Sequence, residues 1–403
     1  MRKKPFIIAV VVFILALLLA VAPACDNGED PGVVKTLKIG FLGPLSGPLA
    51  GWGVPWEEGV KWAADTVNER GGLKVGIDRY LIEVVSYDNK GMGSEAAVGA
   101  TMLVYDEGVK FSTAGILSGE VAAVQPIFNE GKVFSAGAGG HTCSPDFPYY
   151  FDGATHYPTW AATHLELIKE YNPDLRDVAL LMQNSPQGDI ERDVTNALRE
   201  GFGWTVVAEE FYEVMTTDFY PSLTPILAKN PEGILIGGTP PGTAALIVKQ
   251  AREFGYEGLI LGLATVAPTV IDVAGCAYAE GLQCNEPNYN SPLYPEGNRA
   301  LYQEYLQRYQ PEGDKMNFLT LLGYGSTMLY LQAVETAGSI DPDEVLEVFD
   351  DPEWRFEWFG TPGAKLGGSE AWGIRRQVEN YIAWSVIENC EPVMKMLRLV
   401  EVP

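Results

Sequence analysis

Leu37-Lys-Ile-Gly-Phe-Leu-Gly-Pro-Leu-Ser-Gly-Pro-Leu-Ala-Gly-Trp-Gly53, with the helical pattern that runs on to Leu73, decides the fold. Leu37–Gly43 is apolar and alternating, as a sheet strand is. Pro44–Gly53 is a loop of small residues with one large aromatic, Trp52. Val60, Ala63, Ala64 and Val67 then recur at helical spacing until Gly71-Gly72 stops the helix. Small residues and hydroxyls at a strand's carboxyl end offer backbone N–H groups and a helix N-terminus to a small polar ligand. The stretch suits binding, and it holds no nucleophile with a base.

The same alternation extends outward. Strand patterns fall at Leu81–Tyr87, Val109–Ala114, Val133–Ala136, Val178–Met182, Val206–Phe211, Gly233–Gly237 and Leu259–Leu263. Helix patterns lie between them at Ser94–Glu107, Glu120–Asn129, Thr159–Tyr171, Asp189–Phe202, Tyr220–Asn230 and Thr243–Phe254, with Ser94 as an N-cap. Strands separated by such helices imply parallel sheets covered on both faces, an α/β class. The units form two runs, Leu37–Ala136 and Val178–Leu263, joined by a polar, aromatic stretch around Asp146–Trp160. Helical blocks at Glu296–Tyr309 and Phe318–Ala337 follow, then strand-like stretches at Tyr381–Ile387 and Met394–Val402. Two lobes with a cleft between them are expected, since 403 residues exceed one ordinary core.

Composition narrows the class. Apolar residues make up 47% and charged residues 20%, which describes a folded chain rather than a disordered one. Arg2-Lys3-Lys4, an uncharged run from Phe6 to Ala22 and small residues before Cys25 read as an export signal. Its loss would take the formal charge from −25 to about −28. Such a surface repels phosphate backbones, so nucleic acid is not an expected partner. Outside the cytoplasm, Cys143, Cys276, Cys284 and Cys390 are disulfide candidates with three possible pairings. The short spacing favours a Cys276–Cys284 loop clamp, while Cys143 and Cys390 either pair or stay free.

Ile39-Gly-Phe-Leu-Gly-Pro-Leu-Ser-Gly47, Asn68-Glu-Arg-Gly-Gly-Leu73, Tyr87-Asp-Asn89, Thr217-Asp-Phe219, Leu227–Gly238 and Ile247–Gly255 occur in one order. In that order they resemble the extracytoplasmic solute-binding proteins of branched-chain amino acid transporters of the ATP-binding-cassette type. The resemblance implies the two-lobed periplasmic-binding-protein fold (type I), each lobe a parallel sheet flanked by helices, with a hinged cleft that traps one small molecule. It also implies a membrane permease as partner. Ala22-Pro-Ala-Cys25 resembles a bacterial lipobox, which implies a lipid anchor at Cys25 on the outer face of the cytoplasmic membrane or in the periplasm. The expected division is a signal at 1–24, a tether at 25–36, lobe 1 at 37–155, lobe 2 at 156–285, a return to lobe 1 at 286–360, and a hinge crossing with the lobe 2 tail at 361–403.

Carried over position by position, the resemblance implies ligand contacts at Ser46, Gly47 and Trp52, at Ser118 within Leu117-Ser-Gly-Glu-Val121, and at Gly139, Gly140 and His141. Thr239 stands where the family places an aromatic residue. Amino acid binders place an acidic residue after the strand ending at Gly262, yet this chain has Leu263-Ala-Thr-Val266. A buried ammonium without a carboxylate costs several kcal/mol. An ordinary α-amino acid therefore needs Glu120 or Asp189 as partner, and an aromatic or aliphatic carboxylate, an amide or another neutral polar compound is the alternative to an amino-acid-like solute.

No cofactor or metal is expected. His141, His156 and His164 are spaced by 15 and 8 residues, which fits no ligand pattern. Gly137-Ala-Gly-Gly140 lacks the Gly-Lys-Ser/Thr end of a phosphate loop. Gly323-Tyr-Gly-Ser-Thr resembles half a nucleophile elbow but sits in a helix pattern, so an enzyme is not expected. The rival to transport is a ligand-sensing receptor of the same fold. The aromatic run Trp354-Arg-Phe-Glu-Trp-Phe359 reads chiefly as core.

Overall fold

The computed structural model describes residues 32–115, 117–137, 143–154, 156–263, 265–309, 316, 318–400 and 402. The expected signal and Cys25 lie outside these, as do Gly139, Gly140 and His141.

The first lobe opens with β1 (Val34–Gly43), α1 (Ala50–Glu69), β2 (Leu73–Val75), β3 (Asp78–Asp88), α2 (Gly93–Thr101), β4 (Phe111–Ala114), α3 (Ser118–Glu130), β5 (Phe134–Gly137) and β6 (Tyr150–Asp152). The second lobe holds α4 (Tyr157–Tyr171), β7 (Asp177–Gln183), α5 (Pro186–Phe202), β8 (Thr205–Tyr212), α6 (Tyr220–Leu227), β9 (Gly233–Gly237), α7 (Pro241–Glu253), β10 (Leu259–Gly262), α8 (Ala267–Ala274) and β11 (Gln283–Cys284). The chain returns to the first lobe through α9 (Glu296–Tyr309), α10 (Phe318–Ala337), α11 (Pro342–Asp350), β12 (Phe356–Trp358), β13 (Thr361–Ala364), β14 (Leu366–Gly367) and β15 (Gln377–Val378). It ends in the hairpin of β16 (Asn380–Glu388) and β17 (Glu391–Val400).

The first sheet runs β14-β15-β6-β5-β4-β1-β3-β2 and the second β17-β16-β11-β10-β9-β7-β8. The central pairs are parallel, and antiparallel strands sit at the edges. This is the two-lobed α/β architecture that the alternation predicts. Helix ends follow local chemistry: the Ser185 hydroxyl accepts from the Gly188 N–H, and Gly203 closes α5 in the left-handed region. Ser94 is not a cap, because α2 begins one residue before it, and the last turn widens into a π-helix over Met102–Asp106.

Helices α1 and α10 cross at very short range. A Cβ on Gly59 would overlap the Thr320 carbonyl, and one on Gly323 would overlap the Trp56 carbonyl. Glycine at both points lets the backbones meet, which seats Trp56 and Val60 in one core with Leu319 and Leu322. Among the described residues no helix is long and apolar enough to cross a membrane.

Two expectations are corrected. The segment from 361 does not leave the first lobe at once: β15 pairs with β6 through Gln377 and Asp152, so the final crossing falls between Val378 and Asn380. Cys276 pairs with Cys390, not with Cys284, at a Cα–Cα distance of 5.1 Å. The reason is register. β11 pairs antiparallel with β16, Cys284 opposite Ser385, so the turn after β16 returns to the end of the sheet where Cys276 lies. The Gly281 N–H donates to the Ile387 carbonyl (2.9 Å) and the Asn389 N–H to Glu280 (3.0 Å), which brings Cys390 within reach. Cys284 faces the core instead, and Cys143 is also free and buried.

Candidate functional site

A cleft opens where the carboxyl ends of the second-lobe strands face the first-lobe helices. The first-lobe wall is apolar. Trp52 comes from the first turn of α1, Leu117 precedes α3, Phe318, Leu319, Leu321 and Leu322 come from the start of α10, and Phe359 follows β12. The second-lobe wall mixes aromatic and polar groups. Tyr157, Trp160 and His164 form one stripe of α4, while Gln183 ends β7, Gln187 sits in the first turn of α5, and Gly238, Asn285, Pro287, Tyr289 and Tyr294 lie beyond the ends of β9 and β11. Asn380–Ala383 of β16 complete it.

The polar groups are positioned with care. Asn285 Oδ1 accepts from the Thr265 N–H at 2.9 Å, which fixes its amide. Asn380 accepts from Trp358 Nε1–H at 2.6 Å and donates to the Gly153 carbonyl at 2.9 Å, so it spans the crossing segments. The Tyr157 and Trp160 rings stack with centroids 5.0 Å apart and 15° between planes.

No described residue of the wall is Asp, Glu, Lys or Arg. Two buried carboxyls stand behind it. Glu191 accepts from the Tyr157 hydroxyl, and burial pushes its carboxyl up to about 8 against the pull of that hydrogen bond. Glu286 accepts from the Ala267 N–H at 3.1 Å and is likewise pushed up to about 8 by burial. Near neutrality both are mainly protonated, so neither offers a full charge to a ligand.

The sequence-derived contacts divide. Trp52 is half-buried in the wall. Ser46 and Gly47 are exposed and outside it, and the Ser46 hydroxyl donates to Asp88 at 2.5 Å. Burial works against the Asp88 charge, but hydrogen bonds from Ser46 and from the Leu45 and Lys90 N–H groups outweigh it and hold the carboxyl below its ordinary range. Asp88 thus shapes the loop that aims Trp52. Ser118 begins α3 beside Leu117. Thr239 is fully buried next to the wall residue Gly238; its hydroxyl donates to the Gly237 carbonyl and accepts from Tyr212, both at 2.8 Å. Glu120 is buried and accepts from the Leu117 N–H at 3.0 Å, as a capping residue does. Asp189 pairs with Arg192 at 2.9 Å in the first turn of α5. Trp354, Phe356 and Trp358 are core, and Phe359 reaches the cleft.

The α4 stripe escaped the sequence reading, which weighed His164 only as a metal ligand. Its signal was present: Tyr157, Trp160 and His164 stand at i, i+3 and i+7, one face of a helix that starts at a lobe crossing.

Comparison with known proteins agrees with this geometry. Residues 36–364 match the family model described as "Periplasmic binding protein". A leucine-, isoleucine-, valine-, threonine- and alanine-binding protein of Pseudomonas aeruginosa is 23% identical over 339 residues, 83% of this chain and 86% of its own length. The crystal structure of a branched-chain amino acid transporter substrate-binding protein from Streptococcus pneumoniae, in complex with isoleucine, superposes with a TM-score of 0.77 at 22% identity, covering 91% of this chain and 99% of that one. A solute-binding protein of an ABC transporter from R. palustris, in complex with benzoate, gives 0.75 at 17% identity, covering 91% and 98%.

Proposed function

The chain belongs to the periplasmic binding protein family, and we propose that it is the solute-capturing subunit of an ATP-binding-cassette importer, held outside the cytoplasm by a lipid on Cys25. It binds a solute and performs no chemistry on it. The observation that carries the reading is the cleft itself, whose two walls come from different lobes. A ligand touches both walls only when the lobes close, so ligand shifts the hinge equilibrium by its extra contacts with the closed form. The membrane permease then receives the closed, loaded protein.

The wall narrows the solute. One relative is named for binding leucine, isoleucine, valine, threonine and alanine, and a structural neighbour holds benzoate, so the fold serves both chemistries. Here the described wall is rich in aromatic rings and has no charged side chain. That favours an amide, or a carboxylate held by neutral N–H donors such as the wall's Gln and Asn amides, with a flat apolar body, over a free α-amino acid, whose ammonium would lose its hydration without a carboxylate in return.

A thermal-shift screen of amino acids, aromatic and aliphatic carboxylates and amides against the mature protein tests this. A ligand at a hundred times its Kd stabilises by about 2.7 kcal/mol, which raises Tm visibly. Strong shifts from aromatic carboxylates or amides are the expected result. A response confined to branched-chain amino acids refutes the choice of solute, and silence across the panel refutes solute capture.

A further inference from the structure

Asn285 stands just past β11 and lines the second-lobe wall, with 9% of its surface exposed. The Thr265 N–H fixes which way its amide is turned. An N–H only donates, so the atom 2.9 Å from it is the carbonyl Oδ1, and Nδ2 with its protons lies on the other branch. Nδ2 donates to no described residue, and it is not sealed from solvent either. It is an open donor on the wall of the cleft.

Holding the loop does not account for an amide at this position. An aspartate would accept from the Thr265 N–H at least as well, since charge strengthens such a bond. The next residue shows that a carboxyl does serve: Glu286 holds the same loop by accepting from the Ala267 N–H at 3.1 Å. What the amide adds at Asn285 is its second function, a neutral donor that the loop leaves unspent. Tyr289 and Tyr294, on the same stretch of chain and in the same wall, extend it. Their rings lie 5.4 Å apart at 39°, and neither hydroxyl bonds to a described residue or is sealed from solvent. Burial raises both phenols above their ordinary range, so both keep their protons and can donate. An oxygen that only accepts meets neutral donors here, whereas an ammonium would meet no charge to balance its own.

Resting on the reading of the protein as a solute binder, we propose that Asn285 Nδ2 donates to a carboxylate or amide oxygen of the solute, with the Tyr289 and Tyr294 hydroxyls beside it. The polar head then lies past the end of β11, and the apolar body is left to the rings of Tyr157, Trp160 and Trp52. Asn285 is in this sense a specificity residue with two separate tasks. Its Oδ1 holds the loop after β10, and its Nδ2 selects solutes whose head accepts.

Titration calorimetry on the mature protein tests it with benzoate, phenylacetate, their two amides, and phenethylamine, whose head only donates. The wild type should bind at least one acid or amide, and phenethylamine at least about tenfold more weakly. Asn285→Asp keeps an acceptor for the Thr265 N–H and exchanges the donor for a charged oxygen. It should keep the wild-type Tm, weaken the acid about a hundredfold and the amide about tenfold, since only the acid meets a like charge. Phenethylamine should bind this variant more tightly than it binds the wild type. A readout needing no variant is the Asn285 side-chain amide resonance, one proton of which should move downfield when the acid or amide binds. Wild-type preference for phenethylamine overturns the proposal, as does an amide resonance that stays still. So does an Asn285→Asp protein of wild-type Tm that binds the acid within about threefold of the wild type. If leucine binds and no acid or amide probe does, this proposal falls while solute capture stands. If neither leucine nor any probe binds, both fall.

Discussion

The first-lobe wall is set by two helices, α1 and α10, whose backbones meet at Gly59 and Gly323, whereas the second-lobe wall hangs from the ends of β7, β9 and β11 and from one stripe of α4. The first presents hydrocarbon and ring faces alone. The second presents rings with amides and one imidazole between them, and keeps two carboxyls in reserve behind. The difference teaches how the labour divides. The first lobe supplies apolar area, which is tolerant of shape, and the second supplies directional groups, which are not.

Attacking each wall's support should affect that wall alone. Cys390→Ser removes the bridge that ties the last hairpin to the second lobe, and should lower that lobe's stability by about 2–4 kcal/mol in urea titration. Equal loosening of the first lobe would show that the lobes do not fold as separate units. Trp52→Ala strips area from the first-lobe wall and should weaken solute binding by about 1.5–3 kcal/mol, read by calorimetry, for carboxylates and amides alike. A selective loss for one class would assign direction to a wall that has only area. Gly323→Ala forces α1 and α10 apart and should cost about 1–3 kcal/mol of first-lobe stability. Tolerance of the added methyl would mean that the helices are free to separate.

Behind the second wall, Glu191 gives a signed test. A carboxyl raised above its unfolded value binds its proton more tightly in the fold. That contribution is complete below the unfolded carboxylate pKa and is lost as the pH climbs through about 8. Wild-type stability should therefore fall relative to Glu191→Gln by about 4 kcal/mol between roughly pH 5 and pH 9. Parallel curves would mean that Glu191 is ionised throughout. Smallest of all, Ser46→Ala should change solute affinity by no more than about 0.5 kcal/mol, since its hydroxyl serves Asp88. A larger loss by calorimetry would return Ser46 to the binding surface.

The fold was legible because its long elements repeat. Apolar strands alternating with helices of ten to fifteen residues leave few arrangements open, and Trp52 could be placed because it follows the first strand directly. The short strands were not legible. β6, β14 and β15 are two or three residues each, too brief for any period to show, and they exist because β15 finds β6 across more than two hundred residues. The disulfide depends on an antiparallel register that spacing does not reveal. Ser46 and Thr239 had the right residue type at the right loop, but local hydrogen bonds already use their hydroxyls. The α4 stripe was visible as a helix face, yet which way that face turns is set by the packing of one lobe on the other.

Asn380 has a mechanical meaning beyond its two hydrogen bonds. It stands where the chain makes its last passage between lobes, and it clasps Gly153, beside the first passage, and Trp358 of the first lobe. Two of the three passages between the lobes are thus tied to each other, so a movement of one strap pulls on the other.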